Sequence, residues 1–254
     1  MKIRSMIRDY FPNLYKKMTY LKKEYLINKF KFKYPTTKLF LSIEQFKYAQ
    51  GGQDFIIFNE FFKGIDDGIY CDVGGNHPLK FSNTKYFEDK GWSGYVFEPL
   101  IEMKELWDKE RKAQFFQLAA SNYEGNISFP IVNNDGISNN MFSFVSNTRD
   151  MQRNFDIKEV VVKARMLQNV FKEENIKFID FMSIDVEGHE MNVLEGIDFN
   201  QVRINVISIE NNPQNFIVLG DDKIRDIMFK NNYIFWGRII ELDDIYVHKD
   251  FINK

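Results

Sequence analysis

With 254 residues, 44% hydrophobic and 28% charged, the chain can bury one large core, and neither a disordered nor a fibrous class fits. A single cysteine, Cys71, excludes an internal disulfide, and no apolar run approaches the roughly 18 residues of a spanning helix. The formal charge of −2 conceals a division, because residues 1–38 carry a net +9 and leave −11 on the rest.

Ile3, Met6, Ile7, Tyr10, Phe11, Leu14 and Met18 recur at helical spacing with Lys and Arg between them. Pro12 interrupts the pattern, so two short helices or one kinked helix are predicted, followed by further helix over 38–62 with a turn at Gln50-Gly51-Gly52. Residues 1–62 thus read as a basic helical extension ahead of the main domain, 63–254. Its basic, apolar stripe suits an interfacial helix lying on anionic lipid at the inner face of a membrane. The alternative is an extension packed on the body or on the second subunit of a homodimer. Nucleic acid is disfavoured as a partner, since the −11 body repels phosphate and no base-reading module is visible.

From residue 69 strands and helices alternate. Strands are predicted over 69–72, 95–98, 115–120, 178–185, 206–210, 233–236 and 244–248, and helices over 81–90, 100–112, 167–174, 189–196 and 222–231. That rhythm predicts an α/β fold, a mostly parallel seven-stranded sheet with helices on both faces. A polar, asparagine-rich insertion interrupts it at about 121–165, where a substrate loop would lie. Cys71, inside a strand, reads as a small core residue of a protein in a reducing compartment; with no signal peptide visible, a cytoplasmic location is expected.

The strand tips carry the chemistry. Phe178, Ile179, Phe181, Met182 and Ile184 form an apolar run that stops at Asp185, with Glu187, His189 and Glu190 close behind. Ligands of open α/β sheets sit at such tips. Tyr70-Cys71-Asp72-Val73-Gly74-Gly75 runs a strand into two glycines whose missing side chains would let backbone approach a ligand. Tyr95-Val96-Phe97-Glu98-Pro99 places an acid at the next tip, where a carboxylate accepts from both hydroxyls of a ribose. A dinucleotide would need a third glycine and free helix N–H groups for its pyrophosphate, where this chain has Asn76-His77-Pro78. S-adenosylmethionine has a ribose and no phosphate, so the methyl donor is preferred over a nicotinamide dinucleotide, with Asp72 near its ammonium and Glu98 on its ribose.

Asp72 to Pro78, Ser82-Asn83-Thr84, Gly91-Trp92-Ser93-Gly94, Glu98-Pro99, Ala119-Ala120-Ser121, Asp180 to Glu190 and Leu194-Glu195-Gly196 together resemble the FkbM family of S-adenosylmethionine-dependent methyltransferases, in consistent order from about Tyr70 to His248. The resemblance implies a class I methyltransferase (Rossmann-like) fold. It also implies O-methylation of a hydroxyl on a sugar, nucleotide-sugar or surface-glycan precursor. It places Asp72, Gly74, Gly75, Asn76, Asn83, Glu98, Pro99, Ala120, Ser121 and Asp185 around the cofactor. Gly75 and Pro78 depart from the more usual family loop Gly-Ala-Asn-x-Gly.

Methyl transfer requires an acceptor oxygen held about 3–3.5 Å from the donor carbon and relieved of its proton. His189 is the side chain whose ordinary pKa best suits that base, with Asp185 and Glu187 beside it. A metal is the other route: Asp185, Glu210 and Asn211 supply hard oxygens of the kind Mg²⁺ or Mn²⁺ accepts. A non-catalytic binding module on the same fold remains the contrasting reading. His77 reads as structural, and Tyr233 and Trp236 as core or as acceptor-pocket wall.

Overall fold

The computed structural model describes residues 12–43, 47–132, 157–212 and 220–252. Helix α1 spans Pro12–Lys33. Residues 1–11, which carry the front of the predicted pattern, lie outside the described residues.

The predicted helix over 38–62 is corrected. Lys38–Phe40 is a strand, β1, which pairs in parallel with β10 (Tyr233–Ile239). Only Gln53–Ile57 (α2) is α-helix, and it runs into a π-helical turn over Phe58–Phe62. Burial explains the later segment: Ile56, Ile57, Phe58 and Phe62 pack on Tyr70, Phe87, Trp92 and Phe181 beneath the sheet.

The remaining strands of the main sheet are β2 (Ile69–Val73), β3 (Ser93–Phe97), β4 (Gln114–Phe116), β8 (Phe178–Ile184), β9 (Arg203–Glu210) and β11 (Asp243–His248). Among the described residues their order is β1-β10-β11-β9-β8-β2-β3-β4. The sheet therefore has eight strands, not the seven expected, and it is mixed: β11 runs antiparallel to both neighbours while the other pairs are parallel. The eighth strand, β1, comes from the extension. Between β4 and β8 the chain forms β5 (Ala119–Ala120), β6 (Gly125–Val132) and β7 (Ile157–Arg165), a second sheet in the order β5-β7-β6. The asparagine-rich stretch between β6 and β7 lies outside the described residues.

Helices α5 (Leu167–Glu173), α6 (Glu190–Glu195) and α7 (Asp222–Lys230) cover one face of the sheet, where Leu167, Val193, Leu194 and Met228 meet Val73, Ile184 and Ile207. α2, the π-turn and α3 (Lys85–Asp89) cover the other. With both faces covered, the central strands read as near-continuous apolar runs, and the first polar residue marks each tip. α4 (Ile101–Glu110) lies beside β3, and α8 (Lys249–Ile252) ends the described chain.

Candidate active site

The turn after β2 is built by close packing of three strand ends. Gly74 has φ +88°, and a Cβ there would lie 1.9 Å from the main-chain oxygen of Asp185; one on Gly75 would lie 2.3 Å from Val96. The space that the sequence reading gave to a ligand is thus taken by protein neighbours. Gly74 N–H and Gly75 N–H donate to Phe97 O (2.9 and 3.4 Å), and Asn76 N–H donates to Glu98 Oε2 (2.9 Å). All three donors of the turn are engaged, which leaves none for a pyrophosphate.

Glu98 is 4% exposed at the tip of β3. Its Oε1 accepts from Leu100 N–H (2.8 Å), so each carboxylate oxygen holds one backbone donor and keeps a second lone pair. Burial pushes its pKa up to about 7. Asp72, also buried and raised by burial, accepts from Thr84 Oγ1 at 2.5 Å. Asn83 donates to Ser183 Oγ (3.0 Å), and its Oδ1 is buried with no hydrogen-bond partner among the described residues.

Arg111, which the sequence reading missed, braces this wall. Its side chain is fully enclosed and donates to Glu88 Oε2 (3.0 Å), Pro78 O (2.8 Å), Ser82 Oγ (3.1 Å) and Thr84 Oγ1 (3.0 Å). It stacks on Trp107, one helical turn earlier, whose indole N–H donates to Asn76 O at 2.7 Å. In the sequence Arg111 lies within a charged run, Asp108 to Lys112, that looks like a solvated helix end. His77 accepts from Leu79 N–H and Lys80 N–H (3.1 Å each) and is structural.

At the β8 tip the chain turns sharply. Glu187 (φ +54°) and Gly188 (φ +98°) are both left-handed, and Glu190 Oε1 holds the turn by accepting from Val186 N–H (3.2 Å) and Gly188 N–H (2.9 Å). His189, 9% exposed, lies 3.0 Å through Nε2 from Ser121 Oγ, and burial lowers its pKa. Ser121 is itself fully buried and is not among the residues that wall the cleft; its hydroxyl meets His189. Burial, followed by the charge of Glu210, raises Asp185 well above the usual carboxylate range. Glu187 is pushed to about 7 and Glu210 to about 8, in both cases chiefly by burial.

The predicted metal set does not assemble. Asn211 Nδ2 donates to Asp244 Oδ2 (2.7 Å) and Asp221 O (3.1 Å), and its Oδ1 accepts from Asp221 N–H (2.5 Å). With both amide ends committed elsewhere, Asn211 cannot join Asp185 and Glu210 around an ion. Among the described residues no group of three or more His, Cys, Asp or Glu is placed to hold one. Tyr233 and Trp236 are also away from the site: the Tyr233 hydroxyl donates to Ile204 O, and Trp236 stacks on Phe40.

These tips enclose a cleft with about 990 Å³ of empty space, part of it open to solvent. Asp72, Gly74, Gly75, Asn76, Asn83, Glu98, Pro99, Ala120, Asp185, Glu187 and His189 all border it, with Phe97, Leu100, Leu118 and Ala119 as apolar wall. Three non-glycine residues of its rim, Asn76, Phe81 and Glu187, have left-handed backbones, the kind of strain that gathers at ligand sites. A cleft at the carboxyl ends of parallel strands, floored by acids, lies where open α/β sheets bind their ligands. The chain belongs to the Methyltransferase FkbM domain family, which it matches over residues 72–235, a span that includes every residue of the predicted site. It is therefore a methyltransferase by family. No curated protein sequence matches it.

Proposed function

We propose that this protein is an S-adenosylmethionine-dependent O-methyltransferase acting on a hydroxyl of a sugar, nucleotide-sugar or surface-glycan precursor. The observation that carries the reading is Glu98: both oxygens are aligned by backbone donors, both keep a lone pair, and an apolar slot of Phe97, Leu100 and Leu118 adjoins it. That combination suits a ribose with an adenine beyond it. At the other end Asp72 and the unpartnered Asn83 Oδ1 supply oxygen acceptors for an ammonium group. The residues present therefore fit the methyl donor, and the engaged N–H groups of the turn do not fit a dinucleotide.

When bound, S-adenosylmethionine supplies an electrophilic methyl carbon on a sulfonium. The chain's own part is to place the acceptor oxygen and take its proton. His189 is neutral near pH 7 because burial lowers its pKa. In the tautomer whose Nε2–H donates to Ser121 Oγ, Nδ1 keeps the lone pair that accepts a proton. Asp185 and Glu187 border the same cleft and offer acceptors to the remaining hydroxyls of a polyol, which is the support for a carbohydrate acceptor.

Titration calorimetry with S-adenosylhomocysteine and with NAD tests the cofactor; heat for the first and none for the second is expected, and the reverse would refute the reading. Mass spectrometry of a cell extract incubated with isotopically labelled donor then identifies what gains a methyl group. Transfer to nitrogen or carbon in place of oxygen would refute the acceptor class.

A further inference from the structure

Helix α1 carries two apolar stripes, and only one of them is used by the body. Leu26, Ile27 and Phe30 turn inward, with Phe30 fully buried against Tyr34 and Phe235. Leu21, Tyr25 and Phe32, spaced by four and seven residues, share a different face and are 52%, 66% and 91% exposed, with Tyr20 at 64% nearby. Lysines flank that outer stripe on both sides: Lys17 and Lys31 on one, Lys22 and Lys29 on the other, all exposed and in no ion pair among the described residues. Glu24 is the one acid of the helix.

The helix also has a direction. Its innermost anchor, Phe30, lies against Phe235 in the body of β10, whereas Lys23 pairs with Glu241 (2.9 Å), in the turn beyond the carboxyl end of β10. The strands that form the cleft point the same way as β10, so the helix climbs toward the cleft end of the sheet. The eleven residues from Pro12 to Lys22 extend it by roughly 16 Å more. At that same end Leu41 and Ile43, which follow β1, are 71% and 44% exposed.

From these features we infer that the outer face of α1 docks the protein on an anionic lipid bilayer, with the cleft end of the sheet turned toward the surface. Leu21, Tyr25 and Phe32 enter the headgroup boundary, and the flanking lysines reach up to the phosphates while their stems stay apolar. A second copy of the chain fits less well, because a two-fold seam along this stripe sets lysine against lysine with a single glutamate to answer. Nucleic acid needs the lysines but gives Leu21 and Phe32 nothing to bury in. The inference does not depend on the methyl-transfer reading.

Flotation of the full chain with vesicles of phosphatidylglycerol in phosphatidylcholine, against phosphatidylcholine alone, tests it. Binding to the anionic vesicles is expected to be on the order of tenfold stronger or more, and to fall with salt. Lys22→Glu/Lys29→Glu/Lys31→Glu should remove that preference, and Leu21→Ser/Tyr25→Ser/Phe32→Ser should weaken binding to both vesicle types. All six positions are exposed, and unchanged circular dichroism and thermal melting will show that both variants keep their fold. Absent or lipid-independent binding by the parent would overturn the inference. So would light scattering that shows the serine variant turning a dimer into a monomer, or RNA that displaces the vesicles.

Discussion

Ser121 Oγ and His189 Nε2, 68 positions apart in the chain, meet at 3.0 Å in a buried contact. The serine was expected at the cofactor, yet its hydroxyl is spent on fixing the imidazole. Ser121→Ala should therefore leave donor affinity unchanged and lower kcat on the order of tenfold, while His189→Ala lowers it about 100-fold or more. Ser121→Thr should restore most of the loss. Calorimetry beside single-turnover rates separates the two effects; weaker donor binding in Ser121→Ala would return the serine to the cofactor.

Glu98 can be tested alone. Glu98→Ala should weaken S-adenosylhomocysteine by about 1.5–3 kcal/mol, roughly 10- to 100-fold, because charge-assisted bonds to the ribose are lost. Equal affinity in variant and parent would sink the ribose assignment.

Arg111→Met should be among the most damaging substitutions outside the cleft. It leaves Glu88 without its enclosed partner and strips donors from Pro78 O, Ser82 and Thr84, at a cost of about 3–5 kcal/mol, or roughly 10 °C in Tm. Arg111→Lys should recover little, since one ammonium cannot reach partners spread over a planar fork. Thermal melts decide the point.

Two glycines with similar backbones should behave differently. Gly74→Ala puts a carbon 1.9 Å from Asp185 O and must part β2 from β8, so little folded protein is expected. Gly188→Ala, at φ +98° with nothing within 4 Å, should cost only about 1 kcal/mol of backbone strain. Soluble yield and chemical denaturation compare them.

The raised carboxyl groups set the sign of a pH dependence. Glu98 and Glu187 at about 7 and Glu210 at about 8 stand above their ordinary 4.5, so the folded form binds more protons than the unfolded one between these values. Their contribution to stability is complete below pH 4.5 and is lost as pH rises through 7 to 8. The melting temperature without ligand should fall by on the order of 5 °C between about pH 5 and about pH 8. A cationic donor meets more negative charge as pH rises, so protection by S-adenosylmethionine should grow over the same range. A flat or rising profile would contradict both.

The tips of β2, β3 and β8 were legible because strands buried on both faces announce their ends by the first polar residue, Asp72, Glu98 and Asp185 alike. What stayed hidden depends on distant partners. Lys38-Leu39-Phe40 is too short to show a strand period, and its state is decided by β10. Asn211 has the chemistry of a ligand, but Asp244 and Asp221 claim it. Arg111 sits in a run that looks wet and is enclosed because Trp107 and Tyr70 shelter it.

The pairing of β1 with β10 joins positions about 200 residues apart. During synthesis β1 has no template until β10, about 200 residues later, has left the ribosome. Gln50, which borders the cleft, follows that strand by ten residues. That wall of the pocket thus sits ten positions from a pairing of high sequence separation, the kind that closes late in folding.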